Sequence, residues 1–493
     1  MFRKIFFALL LIIAIVAAIV LYRTFTFSSK QFKTEKTATD IAVDEAAVAR
    51  LAEGIKLPTI SLEDPGKSDT TAILQLHEVL TNAFPLVHEK LNKEVINKFS
   101  LMYEWKGSNP NLKPVILMGH MDVVPIEEAT KKEWQHNPFG GEIIEGALWG
   151  RGTLDDKCNV FGVLEAAEML LKKGFQPKRT LYFVFGHDEE IGGTEGAKVI
   201  ADTLLKRGVQ AEMVLDEGMY ISTGGMIPGI EKPVALVGVA EKGYMTLELI
   251  TRIKGGHSSI PSKETSIGVL AKAIAALQDN LLETHFTEPT RMFFEYIGPE
   301  MPFGLKMVVA NQWLFEKVLI NEMTSFREGS ATFRTTTAPT IFQSGVKENV
   351  VPYEARAVVN FRLLPGDHSH DVIDKVKKII NDDRVMINTI SHLNEASPVA
   401  SDSEPAFKVL AKTIGQVSKD DILVSPSLVL GGTDSKHFKD LSPNVFKYLH
   451  IRMSGEDLKR VHGTNERILV EDYKELIRFY YQIMLNVQQM EAN

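Results

Sequence analysis

Between residues 114 and 215, short apolar runs alternate with segments of helical periodicity, and this alternation leaves few folds open. Residues 114–124, 180–186 and 214–215 are strand-like, while 160–173 and 197–207 between them have helical spacing. A strand–helix–strand series of this kind predicts an α/β sheet with helices on both faces. In such sheets ligands bind beyond the carboxyl ends of the strands. The residues that follow each apolar run are therefore the first place to look for chemistry.

A chain of 493 residues exceeds what a single core usually serves, so more than one domain is expected. Near residue 241 the texture changes. Residues 244–254 alternate like a half-buried strand, 266–279 form an alanine-rich helical segment, and 355–363 alternate again. We read 241–362 as an inserted α+β domain between catalytic parts at 40–240 and 363–493, with a closing helix at 471–489.

Composition removes several function classes. The net charge of −8 argues against a nucleic-acid partner, because phosphate binding wants a basic surface. With Cys158 as the single cysteine, the chain can form neither an internal disulfide nor a thiolate-based zinc site. Cys158 reads as a packed thiol, and any metal must rest on His, Asp and Glu.

The N-terminus, 1–26, is the most biased segment. Arg3 and Lys4 precede an apolar run from 5 to 22, which Arg23 closes. As a helix, that run is about 27 Å long, close to the hydrocarbon thickness of a bilayer. Three readings compete: an uncleaved anchor, a cleaved signal, and a buried core helix. Phe25 and Phe27 interrupt the region where a signal would be cleaved. The expectation is a single-helix membrane anchor with the catalytic body outside the cytoplasm, or a secreted protein if the segment is removed. Residues 27–39 are polar and read as a tether.

The strand-end residues supply the chemistry. In Gly119-His120-Met121-Asp122, residues two apart in a strand face one side, so Asp122 can orient the His120 ring. In Trp149-Gly150-Arg151-Gly152-Thr153-Leu154-Asp155-Asp156-Lys157, two carboxylates follow a glycine-rich turn. Asp155 and Asp156 suit either a cap for the helix starting near Asn159 or a carboxylate bridging two cations. His187-Asp188-Glu189-Glu190-Ile191-Gly192-Gly193 follows an apolar strand, and Asp216-Glu217-Gly218 repeats the pattern. Val461-His462-Gly463-Thr464-Asn465-Glu466 adds a late histidine. Nitrogen and oxygen donors of this kind suit zinc, cobalt or manganese.

In this order, the motifs resemble the co-catalytic zinc family of aminoacylases, glutamate carboxypeptidase, acetylornithine deacetylase and carboxypeptidase S. The match runs from about residue 45 to the end, through G-H-M-D-V-V-P, W-G-R-G-T-L-D-D-K, D-E-E-I-G-G, G-G-H-S-S and H-G-T-N-E. The long apolar N-terminus and the long insertion look most like the carboxypeptidase S and N-fatty-acyl-amino-acid hydrolase/synthase branch. The resemblance implies a mixed-sheet di-zinc peptidase catalytic domain with an inserted lid and dimerisation domain. It also implies two Zn2+ ions, with Co2+ or Mn2+ as substitutes. His120 and Asp216 would complete one metal site, with Glu217 the alternate to Asp216; Glu190 and His462 would complete the other. Asp155 would bridge the two, Asp122 would support His120, and Glu189 would be the general base. His257, in Gly255-Gly256-His257-Ser258-Ser259, would stabilise the oxyanion, from the partner subunit in some relatives. Asn349 and Arg362 would contact substrate, and an Arg fork suits a free carboxylate; the alternative for Arg362 is an ordinary ion pair. Gly431-Gly432-Thr433-Asp434-Ser435 would line the pocket. His136, His187 and His437 do not match ligand positions and read as structural. The stretch 301–315 suits either an acyl pocket or lid core.

The implied activity is hydrolysis of amide bonds in N-acyl amino acids or short peptides carrying a free carboxylate, or the reverse condensation. Two rivals stand beside it: an aminopeptidase or dipeptidase on the same metals, revealed by a free-amine requirement, and a non-catalytic binding protein. The expected partners are a small-molecule substrate, a membrane through the N-terminal segment, and a second copy through the lid.

Overall fold

The computed structural model describes residues 1–62 and 70–491. The expected alternation is present: strands Val115–His120, Leu181–Gly186 and Met213–Asp216 run parallel, separated by helices Lys157–Lys172 and Ala197–Lys206. All six residues of Val115–His120 are buried, as in a parallel strand covered on both faces. Val115 and Leu117 face a core built with Phe161, Leu164 and Tyr480. Ile116 and Met118 face the opposite layer, with Ile200, Leu204 and Phe438. The closing helix Val470–Asn486 packs on Lys157–Lys172.

These strands belong to a mixed ten-stranded sheet. Ser100–Trp105 joins it antiparallel, beside Leu181–Gly186. Val445–Lys447 extends it, parallel to Met213–Asp216. Register fixes the site: His120 lies opposite Gly186, and Leu117 opposite Leu215, so three strand ends open on one edge.

A second, antiparallel sheet contains Thr336–Ser344, Glu354–Leu363, Gly243–Arg252 and Val385–Asn394 in that order. Met245, Leu247, Val359 and Phe361 pack under helices Ser266–Asp279 and Ser369–Ile380. The expected boundary at 362 cuts this sheet. The unit continues to Asn394 because Val385–Asn394 pairs with Gly243–Arg252 along its free edge.

The insertion is also not one unit. Helices Glu288–Ile297, Phe303–Ala310 and Gln312–Met323 share cores with residues outside it: Ile297 with Val234 and Leu423, and Phe294 and Val309 with Phe27. The stretch 301–315 packs beside the N-terminal helix, and its Val309, Ala310 and Gln312 line a cleft at the foot of that helix.

That helix, Phe2–Thr26, is exposed along its length, with Val20 and Thr24 buried at its foot. Residues 27–39 were expected to be a tether, but they are laid on the body. Gln31 donates to the Tyr296 and Val424 carbonyls and accepts from the Val424 amide. Ala38 is buried, and its amide donates to the Gln416 carbonyl. Polar composition there reflects backbone-directed hydrogen bonding rather than freedom.

Candidate metal centre

His120 ends its strand buried, with its two ring nitrogens facing different partners. Nδ1 lies 3.0 Å from the Asp122 carbonyl and 3.3 Å from Asp122 Oδ1. Nε2 lies 2.9 Å from Asp155 Oδ1 and 3.5 Å from Glu217 Oε1. Burial disfavours the imidazolium, but Asp122, Asp155 and Glu217 outweigh it and hold the His120 pKa well above its ordinary value.

Asp122 does more than steady His120. Its oxygens accept from the backbone amides of Glu189 and Glu190, both at 3.1 Å, and from Ser61 Oγ at 2.6 Å. One carboxylate thereby ties the His120 strand end to the turn carrying Glu189 and Glu190. Burial pushes the Asp122 carboxyl up, but these donors and His120 hold it below the usual range.

Asp155 sits between two imidazoles. Its Oδ1 faces His120, and its Oδ2 lies 3.0 Å from His462 Nε2. Glu190 Oε2 approaches the same His462 nitrogen at 3.1 Å. These two carboxylates raise the His462 pKa to about 10. The loop that presents Asp155 turns through Gly150 and Gly152, both with positive φ. The Asp155–Asp156 peptide is cis. Glu466 Oε1 accepts from the amides of Gly152, Leu154 and Asp155, and Glu466 Oε2 pairs with Arg151 at 2.5 Å. Arg151 also donates to the His462 and Gly463 carbonyls, locking the two loops together.

Glu466, Arg151 and Ser61 were not singled out from the sequence. For the first two the available signal was opposite charge within two motifs already quoted; for Ser61 there was none.

Of Asp216 and its alternate Glu217, it is Glu217 that lies against His120. Asp216 Oδ1 accepts from the Glu217 amide, and its Oδ2 accepts from the Ser435 amide at 2.9 Å, which turns it toward the 433–435 loop. Glu217 is the one that faces His120. Burial, then Asp155, pushes the Glu217 carboxyl up to about 7. Glu189 is half-buried beside this group, and burial, then Asp434 and Glu217, raises its pKa well above the ordinary value.

The donor set suits divalent cations. Ligand atoms of His120, Asp155 and Glu190 lie within 4.8 Å of one another, as do those of His120, Asp156 and Glu217. Buried Glu190 Oε1 and Asp156 Oδ1 have no hydrogen-bond partner among the described residues, and buried carboxylate oxygens left in that state are costly. Imidazole nitrogen and carboxylate oxygen match zinc-like ions.

The remaining expected residues lie elsewhere. His257 is exposed on a two-stranded ribbon, Gly256–His257 paired with Val350–Val351, and its Nδ1 lies 2.7 Å from Ser259 Oγ. Asn349 shares that ribbon, its carbonyl accepting from the Ser258 amide. Arg362 stacks on Tyr244 at 4.8 Å and has no carboxylate partner among the described residues, so the ordinary ion pair is not found. Thr433 and Ser435 bond Glu241, and Asp434 is buried beside Gly186 and Gly193. His187 meets Ser100, His437 the Gly192 carbonyl and His136 Glu142, all outside the centre. Cys158 is a buried thiol, with burial raising its pKa.

The model of peptidase family M20/M25/M40 matches residues 116–486. A probable carboxypeptidase S-like 2 of Dictyostelium discoideum is 40% identical, over 97% of this chain and 93% of its own. An N-fatty-acyl-amino acid synthase/hydrolase of Xenopus tropicalis is 38% identical, over 97% and 94%. Among solved structures, an M20 family metallo-carboxypeptidase from Sulfolobus solfataricus superposes with a TM-score of 0.65 at 20% identity, covering 91% of this chain and all of its own.

Proposed function

The chain belongs to peptidase family M20/M25/M40, and from that premise we propose that it hydrolyses the amide bond next to a free carboxylate in N-acyl amino acids or short peptides. The observation that carries this reading is Asp155 placed between His120 and His462, with Glu189 alongside. His120, Asp155 and Glu217 would hold one cation, and His462, Asp155 and Glu190 the other. We take both as Zn2+, with Co2+ or Mn2+ able to replace them. Two such cations supply Lewis acidity to the scissile carbonyl and lower the pKa of a water.

The chain's own groups do the rest. Glu189 takes a proton from the attacking water, whose oxygen bonds to the amide carbonyl carbon. The C–N bond then breaks, and Glu189 returns the proton to the leaving nitrogen. A raised pKa suits a carboxylate that must both accept and release a proton near neutrality. His257 donates to the developing oxyanion. Arg362 and Asn349 grip the substrate carboxylate, a role for which an unpaired guanidinium is available.

His257 lies on an exposed ribbon, so we assign it to the site of a second copy. The exposed Ile341 and Phe342 on edge strand Thr336–Ser344 support a lid-to-lid dimer. The N-terminal helix is long and apolar enough to span a membrane, and we read it as an anchor. The same centre would catalyse condensation when fatty acid and amino acid are in excess.

The test is a substrate panel on the zinc-loaded full chain in detergent, with Glu189→Gln as control. Release of amino acid from N-acetyl or N-long-chain-acyl substrates, lost in the variant, supports the reading. Activity confined to free-amine peptides would move the protein to the aminopeptidase side. Metal binding with no turnover on any substrate would leave a binding protein.

A further inference from the structure

We propose that the helix pair Phe303–Ala310 and Gln312–Met323 is an interfacial docking surface, seated in the headgroup region of the phospholipid bilayer that the N-terminal helix spans. This rests on the N-terminal helix being a retained anchor.

Geometry sets the depth. Residues 2–19 of the anchor include no buried side chain, and burial begins at Val20. Those roughly 18 residues make a rod about 27 Å long, the thickness of the hydrocarbon layer. Whatever grips the helix from Val20 onward therefore meets it where it leaves the hydrocarbon. The grip is specific. Asn311 Nδ2 donates to the Val20 carbonyl and to Thr24 Oγ1, each at 3.2 Å, and Arg23 Nε donates to the Ala310 carbonyl at 3.2 Å. The Phe25 ring lies 5.8 Å from the Phe303 ring. Beyond Thr26 the chain stays fastened, through Lys30 on Glu295 and Gln31 on the Val424 backbone. Anchor and helix pair are thus held together at one level.

The outward chemistry of the pair fits that level. Phe303, Leu305, Trp313, Leu314 and Val318 are all more than two-fifths exposed, a concentration of large apolar groups that water disfavours. Leu314 and Val318 are four apart on one helical face, as are Trp313 and Lys317. Trp313 also has the polar tip of an interfacial tryptophan, its Nε1 donating to Asn311 Oδ1 at 3.3 Å. Lys317 can extend its ammonium toward the headgroups. At the foot of the anchor a cleft of about 370 Å3 is lined by Arg23, Arg291, Glu295 and Gln312. Lys30 engages Glu295, Arg23 bonds the Ala310 carbonyl through Nε alone and Arg291 lies over the Phe286 ring, so neither guanidinium has a carboxylate partner among the described residues and both can meet lipid phosphate. A second copy or another protein would also cover apolar surface, but only a bilayer is required to be at this height by the anchor itself.

The test uses the full chain in phosphatidylcholine nanodiscs. Cys158 is buried, so an introduced cysteine takes a spin label selectively. Labels at Val318→Cys, Leu11→Cys and Val346→Cys report the surface, the span and an exposed lid turn. Collision with oxygen relative to a water-soluble nickel complex is then measured at each position. The proposal predicts a ratio at 318 severalfold above that at 346 and below that at 11. A lipid-like ratio at 11 with a water-like ratio at 318 overturns the docking surface and leaves the anchor standing. A water-like ratio at 11 removes the anchor reading and the proposal with it. Dipolar broadening at 318 would put a second copy on the surface and also overturn the proposal.

Discussion

The strand-end centre and the Gly256–His257 ribbon both hold residues the family motifs single out, yet they are built in opposite ways. At the centre, the elements that present the candidate ligands are fastened by other parts of the chain: Asp122 by two amides and Ser61, the Asp155 loop by Glu466, and Glu466 by Arg151. On the ribbon, the His257 ring bonds only Ser259 among the described residues, and it is exposed. The centre is preorganised for charge, where small displacements cost most. The ribbon leaves the His257 ring exposed, which suits its proposed part as a group that completes a site from a lid or a second copy.

The comparison can be broken at several points. The largest effect is expected from Glu189→Gln, which removes the proposed proton carrier without touching the fastening. Turnover should fall about 1,000-fold, with metal content and melting temperature unchanged. Near-wild-type turnover would remove Glu189 from its role. Next is Glu466→Gln, which leaves Arg151 buried without its anion. It should destabilise the fold by about 3–5 kcal/mol in urea melts, whereas His257→Ala on the ribbon should cost almost nothing. Equal losses would erase the contrast. At the metal-facing strand end, Glu217→Gln should weaken metal affinity about 100-fold and Asp216→Asn about tenfold, read by chelator competition. The reverse order would restore Asp216 as the ligand.

Smaller effects belong to the lid. Arg362→Lys loses the planar fork and should raise KM about tenfold with kcat nearly intact; a kcat loss alone would place Arg362 elsewhere. Mixing His257→Ala with Glu189→Gln protein should recover about a quarter of wild-type activity, because half the dimers then hold one complete site. No recovery would assign each His257 to its own subunit.

Much of this was legible in the sequence. Val115–His120 and Leu181–Gly186 are continuous apolar runs because both of their faces are buried, and such runs announce themselves. His120, Asp155 and Glu190 stood out because each lies at or just past an apolar strand or a glycine turn, and His462 because it is a late histidine in a polar loop. What could not be read depended on distant partners. Asp216 and Glu217 are adjacent, and an amide 219 residues away, that of Ser435, decides which one turns inward. The 362 boundary failed because Val385–Asn394 pairs back across the sheet. The tether failed because Gln31 finds backbone partners 393 residues away. Local pattern reported burial and turns, and it did not report long-range hydrogen bonds.

The most direct test of the account is crystallographic: anomalous diffraction at the zinc edge from the zinc-loaded protein. The account predicts two peaks on either side of the Asp155 carboxylate, one shared with His120 and Glu217 and the other with His462 and Glu190. A single peak, or a metal held by Asp216 with Glu217 turned away, would contradict it.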